Sequence, residues 1–131
     1  MRQEIHSGRL KLLGEEHVQT LAAAINYGSS LMTLKRFEEA RTLLRKAMPV
    51  IRRTLGENDE LTLNLRWGYA QSLYNAVDAT LDNLSEAVET LADAERIARR
   101  VLGGTHPLSV NIESSLRLSR EILCEAASEA V

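Results

Sequence analysis

Leu13-Gly-Glu-Glu-His-Val-Gln-Thr-Leu21 returns as Leu55-Gly-Glu-Asn-Asp-Glu-Leu-Thr-Leu63 and again as Leu102-Gly-Gly-Thr-His-Pro-Leu-Ser-Val110. The interval from Gly14 to Gly56 is 42 residues and that from Gly56 to Gly103 is 47, so the second unit carries five extra residues. Recurrence at this period marks a stack of similar supersecondary units, each too thin to bury its apolar face alone.

The recurring element reads as a junction between helices. Gly56 and Gly103 suit the left-handed residue that closes a helix, because glycine carries no Cβ penalty there. The basic pairs Arg52-Arg53 and Arg99-Arg100 just before them complement a negative helix end. Thr20, Thr62 and Ser109 recur six residues after each glycine, at or just inside the start of the next helix, and Pro107 fits a first helical turn.

Between the junctions the apolar residues follow a helical period. In the first unit Ala24, Tyr27, Gly28 and Leu31 share a face. After a break at Lys35-Arg36, a second helix carries Phe37, Ala40, Leu44, Ala47 and Ile51. The second unit repeats this helical hairpin with Tyr69, Ala70 and Leu73, then Leu84, Ala87, Leu91, Ala94 and Ala98. Its five extra residues fall within Asn75 to Asn83, where a longer loop with Thr80 as helix N-cap is expected. Gly28, Ala40, Ala47, Ala70, Ala87 and Ala94 are small because paired helices approach closely only where side chains are short. Burial of Tyr27, Leu31, Phe37 and Leu44 at about 1.5 to 3 kcal/mol each is of the same order as the entropy of ordering one hairpin, so neighbouring units must supply the rest. Pro49 inside the second helix predicts a bend near Arg45.

The two ends are half-units. Residues 1–13 read as the tail of a preceding second helix, helical at least over Arg9 to Leu13. Residues 14–55 form one unit, 56–102 the next, and 103–131 a half-unit whose single helix caps the stack with Arg117, Arg120, Glu121 and Glu125 outward.

Composition agrees with a helical protein of one domain. The 131 residues are 44% hydrophobic, 26% charged and only 4% aromatic, rich in Leu, Ala and Arg. A net charge of −2 supplies no global field to hold nucleic acid or an anionic membrane. The basic runs Lys35-Arg36, Arg41 to Arg53 and Arg96 to Arg100 read as solvated faces paired with Glu38, Glu39, Glu86, Glu89 and Glu95. Neither a signal-like apolar run after Met1 nor a stretch of ~18 apolar residues is present, and with Cys124 the one cysteine, the cytoplasm is the expected location.

Hairpins with small residues at these spacings resemble the tetratricopeptide repeat. The longer period with a Leu-Gly-x-x-His-Pro junction is similar to the kinesin light chain variety, whose repeat runs approximately LGxxHPxTLxxxxNLAxxLxxxGxxxEAExLxxxALxIxxxxLG. On it fall Leu13 to His17, Thr20-Leu21, Asn26 to Gly28, Leu31, Glu39 to Arg41, Leu43 and Ala47. So do Leu55-Gly56, Thr62-Leu63, Tyr69-Ala70, Leu73, Glu86-Ala87 and Ala94, and in the last unit Leu102-Gly103, His106-Pro107 and Ser109. His-Pro is complete only at the third junction, being His17-Val18 and Asp59-Glu60 at the others. The paired asparagines common before the small residue of light-chain repeats read Ile25-Asn26, Trp67-Gly68 and Ser114-Ser115 here.

The resemblance implies an all-α, right-handed superhelix of antiparallel hairpins whose first helices line a concave, peptide-binding surface. On that surface stand Ile25, Ser29 and Met32 with Ala22, then Asn64, Trp67, Gln71 and Tyr74, then Asn111 and Ser114 with Leu118 and Glu121. Trp67, Tyr74, Asn64 and Gln71 combine aromatic area with amides able to pair a peptide backbone. Packing of Trp67 against the next unit is the competing reading.

No catalytic arrangement emerges. His6, His17 and His106 lack neighbours at ligand spacing and suit local hydrogen bonds at helix starts, and Gly103-Gly104 lacks the lysine of a phosphate loop. The expectation is therefore a non-enzymatic scaffold or adaptor without metal or cofactor, binding a protein or peptide and neither nucleic acid nor membrane. Two alternatives remain: self-association through the terminal half-units, and an accessory piece of a larger enzyme or motor adaptor.

Overall fold

Five helices follow one another: α1 His6–Thr33, α2 Phe37–Leu55, α3 Glu60–Tyr74, α4 Leu81–Val101 and α5 Pro107–Glu129. The computed structural model describes residues 6–129, with side chains from Val18 onward, and those residues contain no strand. The side chains of His6 and His17, and residues 1–5 of the expected preceding tail, lie outside this description.

Each helix packs on the next in chain order, so α1 with α2 and α3 with α4 make two hairpins, and α5 lies on α4. The fold is an all-α stack of tetratricopeptide-like hairpins. In addition α1 approaches α3 and α3 approaches α5 backbone to backbone, whereas the α2 and α4 backbones stay apart and meet only through side chains such as Arg45 and Glu86. In a bent stack the layer on the inside of the bend is the one whose members touch. The odd-numbered helices therefore form the inner layer.

Junction chemistry follows the expected residue types. Gly56 and Gly103 have φ of 88° and 92°, the left-handed region that glycine enters freely. Asp59 caps α3 by accepting from the Leu61 amide at 2.8 Å, and His106 Nδ1 accepts from the Leu108 amide at 3.1 Å in the same relative position. Thr62 Oγ1 donates back to the Gly56 carbonyl at 2.7 Å. Thr80 and Asn83 form a reciprocal capping box at the start of α4.

The first turn between helices is closed differently. The Arg36 amide bonds the Leu31 carbonyl at 2.8 Å and the Lys35 amide the Met32 carbonyl at 2.9 Å, with Lys35 left-handed at φ 63°. A lysine there bears a Cβ clash that glycine would avoid. In the second hairpin six residues, Asn75 to Thr80, replace the three from Leu34 to Arg36, and α4 begins three residues earlier relative to Ala87 than α2 does relative to Ala40. The extra residues are thus shared between a longer loop and a longer helix.

Small residues sit where the helices are closest. Ala40, Ala70, Ala87 and Ala94 are fully buried, and a Cβ added at Gly28 would lie 3.0 Å from Leu44 Cδ2. The central helix α3, flanked by α1, α2, α4 and α5, buries Leu63, Leu65, Tyr69, Ala70, Leu73 and Tyr74. α2 runs unbroken across Pro49.

Three expectations fail. α1 does not stop at Leu13-Gly14 but continues from His6 to Thr33. The other two junctions have Asp59 before Glu60 or His106 before Pro107; here Val18 follows His17, and Glu15, Glu16 and Gln19 are good helix formers. Tyr27, placed on the packing stripe, is 58% exposed, because the side of α1 it occupies has no covering helix among the described residues. Phe37 opens α2 at the edge of the stack and is only half-buried.

Candidate functional site

Six of the residues expected on the inner surface converge, Ile25 among them. Ser29 and Met32 of α1 and Asn64, Trp67 and Gln71 of α3 line one crevice of about 30 Å³, floored by Ile25, Leu44, Leu65 and Gly68. They meet because α1 and α3 are adjacent in the inner layer and Gly68 leaves room between them. Ser29 is exposed, and Met32, Asn64, Trp67 and Gln71 are partly so. Ile25 is buried at the crevice floor, and Tyr74, expected on the same surface, is buried in the core, so neither adds contact area.

Trp67 spans the second seam. Its indole Nε1 donates to Ser115 Oγ on α5 at 2.8 Å, and the ring packs against the core. The N–H is thereby used within the stack, while part of the ring stays accessible. Asn111 and Ser114 occupy on α5 the places of Asn64 and Trp67 on α3, and both are exposed. Amide groups at Asn64, Gln71 and Asn111 thus recur along a face that runs from α1 across α3 to α5. Leu118 is exposed further along α5.

The opposite side, where α2 and α4 diverge, carries two chains of polar contacts that the sequence spacing did not disclose. In the first, Arg45 of α2 donates to Tyr69 Oη from Nη2 at 2.8 Å and from Nε at 3.1 Å, and Tyr69 donates to Glu86 of α4. The Tyr69 hydroxyl is held above the ordinary phenol range, chiefly by burial and then by its bond to Glu86. Next to it lies a crevice of about 250 Å³ lined by Met48, Pro49, Arg52 and Thr90.

The second chain centres on Arg66 of α3, which is 4% exposed. Its Nη2 donates to Asp93 Oδ2 at 2.7 Å, and its Nη1 lies 3.5 Å from Glu57, which also pairs with Arg52 at 3.1 Å. Arg96 closes the chain on the other Asp93 oxygen. The Asp93 carboxyl lies below its usual range, first through the Arg66 hydrogen bond and then through the charges of Arg66, Arg96 and Arg52. The sole hint in sequence was that Arg66 falls in an apolar stripe where the first unit has Ala24. The basic runs are, as expected, partly paired at helical spacing, with Arg36 on Glu39 and Arg99 on Glu95.

Among the described residues no group of three potential ligands converges on a metal position, and no helix there is long and apolar enough to cross a membrane. Residues 19–78 match the family model of the tetratricopeptide repeat. The match spans the second half of α1, all of α2 and α3, and the first residues of the following turn. No curated protein and no solved structure matches the chain. Repeats of the tetratricopeptide family generally serve as non-enzymatic scaffolds that mediate contacts between proteins.

Proposed function

We propose that this chain is a non-catalytic scaffold that binds an extended or partly helical segment of another protein along the inner face of α1, α3 and α5. The observation that carries the reading is the layering: the odd helices touch one another while the even ones diverge, which creates a continuous face marked by Ser29, Met32, Asn64, Gln71, Asn111 and Ser114. Amides spaced along an accessible surface can pair with the backbone of a guest peptide, and the exposed part of the Trp67 ring adds apolar area. Because Trp67, Tyr74 and Ile25 already contribute to packing, guest contacts fall mainly on the polar residues around them. The Leu-Gly-x-x-His-Pro junction favours a light-chain-like adaptor, and the absence of the paired asparagines gives it a guest motif of its own. A cytoplasmic setting suits a chain with one exposed thiol, Cys124.

A peptide-array screen on the intact chain, repeated with an Asn64→Ala, Gln71→Ala, Asn111→Ala variant, tests the reading. Peptides selected by the parent and lost by a variant with an unchanged melting curve support it. Retention of the same peptides by the variant contradicts it.

A further inference from the structure

Charge is divided unequally between the two layers of the stack. Seven of the 19 residues of α2 and eight of the 21 of α4 are charged. On the inner layer the stretch from Val18 to Leu34 has no charged residue, and that from Leu61 to Val77 has Arg66 alone. Arg66 is 4% exposed and bonded to Asp93 on the opposite side, so its charge is paired away from the inner face. On α5 the charged residues Glu113, Arg117 and Arg120 line a crevice against Glu95 and Arg96 of α4. Along the line of Asn111, Ser114 and Leu118 the first charge met is Glu121, a turn further on.

A band of uncharged surface thus crosses α1, α3 and α5. Its polar groups are the amides of Asn64, Gln71 and Asn111 and the hydroxyls of Ser29 and Ser114. These both donate and accept hydrogen bonds, which suits a peptide backbone and neutral polar side chains. None of them brings a counter-charge. A guest Asp, Glu, Lys or Arg held at the middle of the band loses water without gaining an ionic partner, and that cost falls on either sign. Depletion of charge is also what marks the centre of an interface.

We propose that the guest is an electrically neutral segment, an inference that rests on the inner-face reading and adds the chemistry of the partner. Two interaxial steps of about 8 to 10 Å each are spanned by roughly six extended residues. Those residues carry hydroxyl, amide or small aliphatic side chains and no charge at the centre. Affinity comes from hydrogen bonds and apolar contact, so it is nearly independent of salt. Phosphorylation of a central serine or threonine of the guest expels it, because the phosphate brings close to two negative charges to a band whose described side chains offer no cation.

The probe is a random octapeptide library, made of every residue type but cysteine and screened on the intact chain. Among bound peptides Asp, Glu, Lys and Arg should all be depleted at the central positions, at least ~10-fold against the input. The tightest peptides should change Kd by less than ~2-fold between ~50 and ~500 mM NaCl, and a central phosphoserine should weaken them at least ~10-fold. Gln71→Lys, or Ser114→Lys at an exposed position, should reverse the choice: with an unchanged melting curve, the variant draws peptides with acidic centres and its binding becomes salt-dependent. Selection of charged centres by the parent, with Kd rising several-fold in salt, overturns the proposal, and so does refusal of acidic centres by both folded lysine variants. The inner-face reading survives either result if the Asn64→Ala, Gln71→Ala, Asn111→Ala variant loses the peptides that the parent selects. A library that yields no binder overturns both.

Discussion

Removing the Asp93 carboxylate should cost far more than removing an ordinary surface charge, because of what it leaves behind. Arg66 is 4% exposed, its Nε and Nη1 are buried without a hydrogen-bond partner, and its strongest contact is the 2.7 Å bond to Asp93. Loss of one member of a buried pair costs ~3 to 5 kcal/mol. Here the Asp93 side chain is itself 41% exposed and Glu57 stays 3.5 Å from the guanidinium, so the cost falls below that range, to about 2 kcal/mol for Asp93→Ala. Replacing Arg66 with methionine, similar in length and apolar, should be nearly neutral. In the Arg66→Met background Asp93→Ala should then cost no more than ~0.5 kcal/mol, leaving a coupling of about 1.5 kcal/mol. Urea unfolding followed by circular dichroism measures all four proteins, and the single Asp93→Ala loss corresponds to roughly 8 °C in melting temperature. The pH dependence provides a second readout. Asp93 is depressed in the folded state, so its contribution is complete above the unfolded carboxylate value of about 3.9 and is lost as pH falls through the folded value. The stability gap between the parent and Asp93→Asn should therefore shrink below about pH 4. Equal costs of Asp93→Ala with and without Arg66, or a gap indifferent to acid, would refute the reasoning.

Four further substitutions follow from local geometry, each read by chemical or thermal unfolding. Lys35→Gly should stabilise the protein by about 0.5 to 1 kcal/mol, because relief of the left-handed strain exceeds the added unfolded-state entropy; destabilisation would contradict this. Gly68→Ala should stabilise by up to about 1 kcal/mol, its new Cβ meeting Leu44 at an ordinary 3.5 Å. Gly28→Ala should instead be neutral or destabilising, since a contact of 3.0 Å to the same fully packed leucine offsets the helix gain, and the reverse order would contradict the packing argument. Thr80→Ala should cost about 1 kcal/mol by removing the α4 capping box, and an unchanged stability would mean the cap is not formed in solution.

The hairpin order was legible because each junction states its chemistry locally. Gly56, Gly103, Thr80 and Pro107 need only their own backbone neighbours to act, so their positions in the chain disclose where helices end and begin, whereas the Asp59 cap of α3 reads in sequence only as a departure from His-Pro. Gly14 shows the limit of that reasoning: the Leu-Gly pair repeats, but without an Asp-Glu or His-Pro continuation nothing offsets the helix-forming residues around it. Tyr27 was misread for another reason. Periodicity reports which face of a helix is apolar, whereas burial also needs a neighbour to lie on that face, and the sequence of one unit does not say whether such a neighbour is supplied. The inner face was partly legible, since Ser29, Asn64, Gln71 and Asn111 follow from helical phase and the repeat period alone. The use of the Trp67 N–H by Ser115, 48 residues away, and the pairing of Arg66 with Asp93 depend on how whole helices dock, which no local pattern encodes.

The most direct test of the central claim is an amide chemical-shift map of the isotopically labelled chain titrated with the tightest peptide from the array. Binding along the inner layer predicts that shifts concentrate at Ser29, Met32, Asn64, Gln71, Asn111 and Ser114, on three successive odd helices. Shifts confined to α2 and α4, or an array that yields no peptide at all, would contradict it.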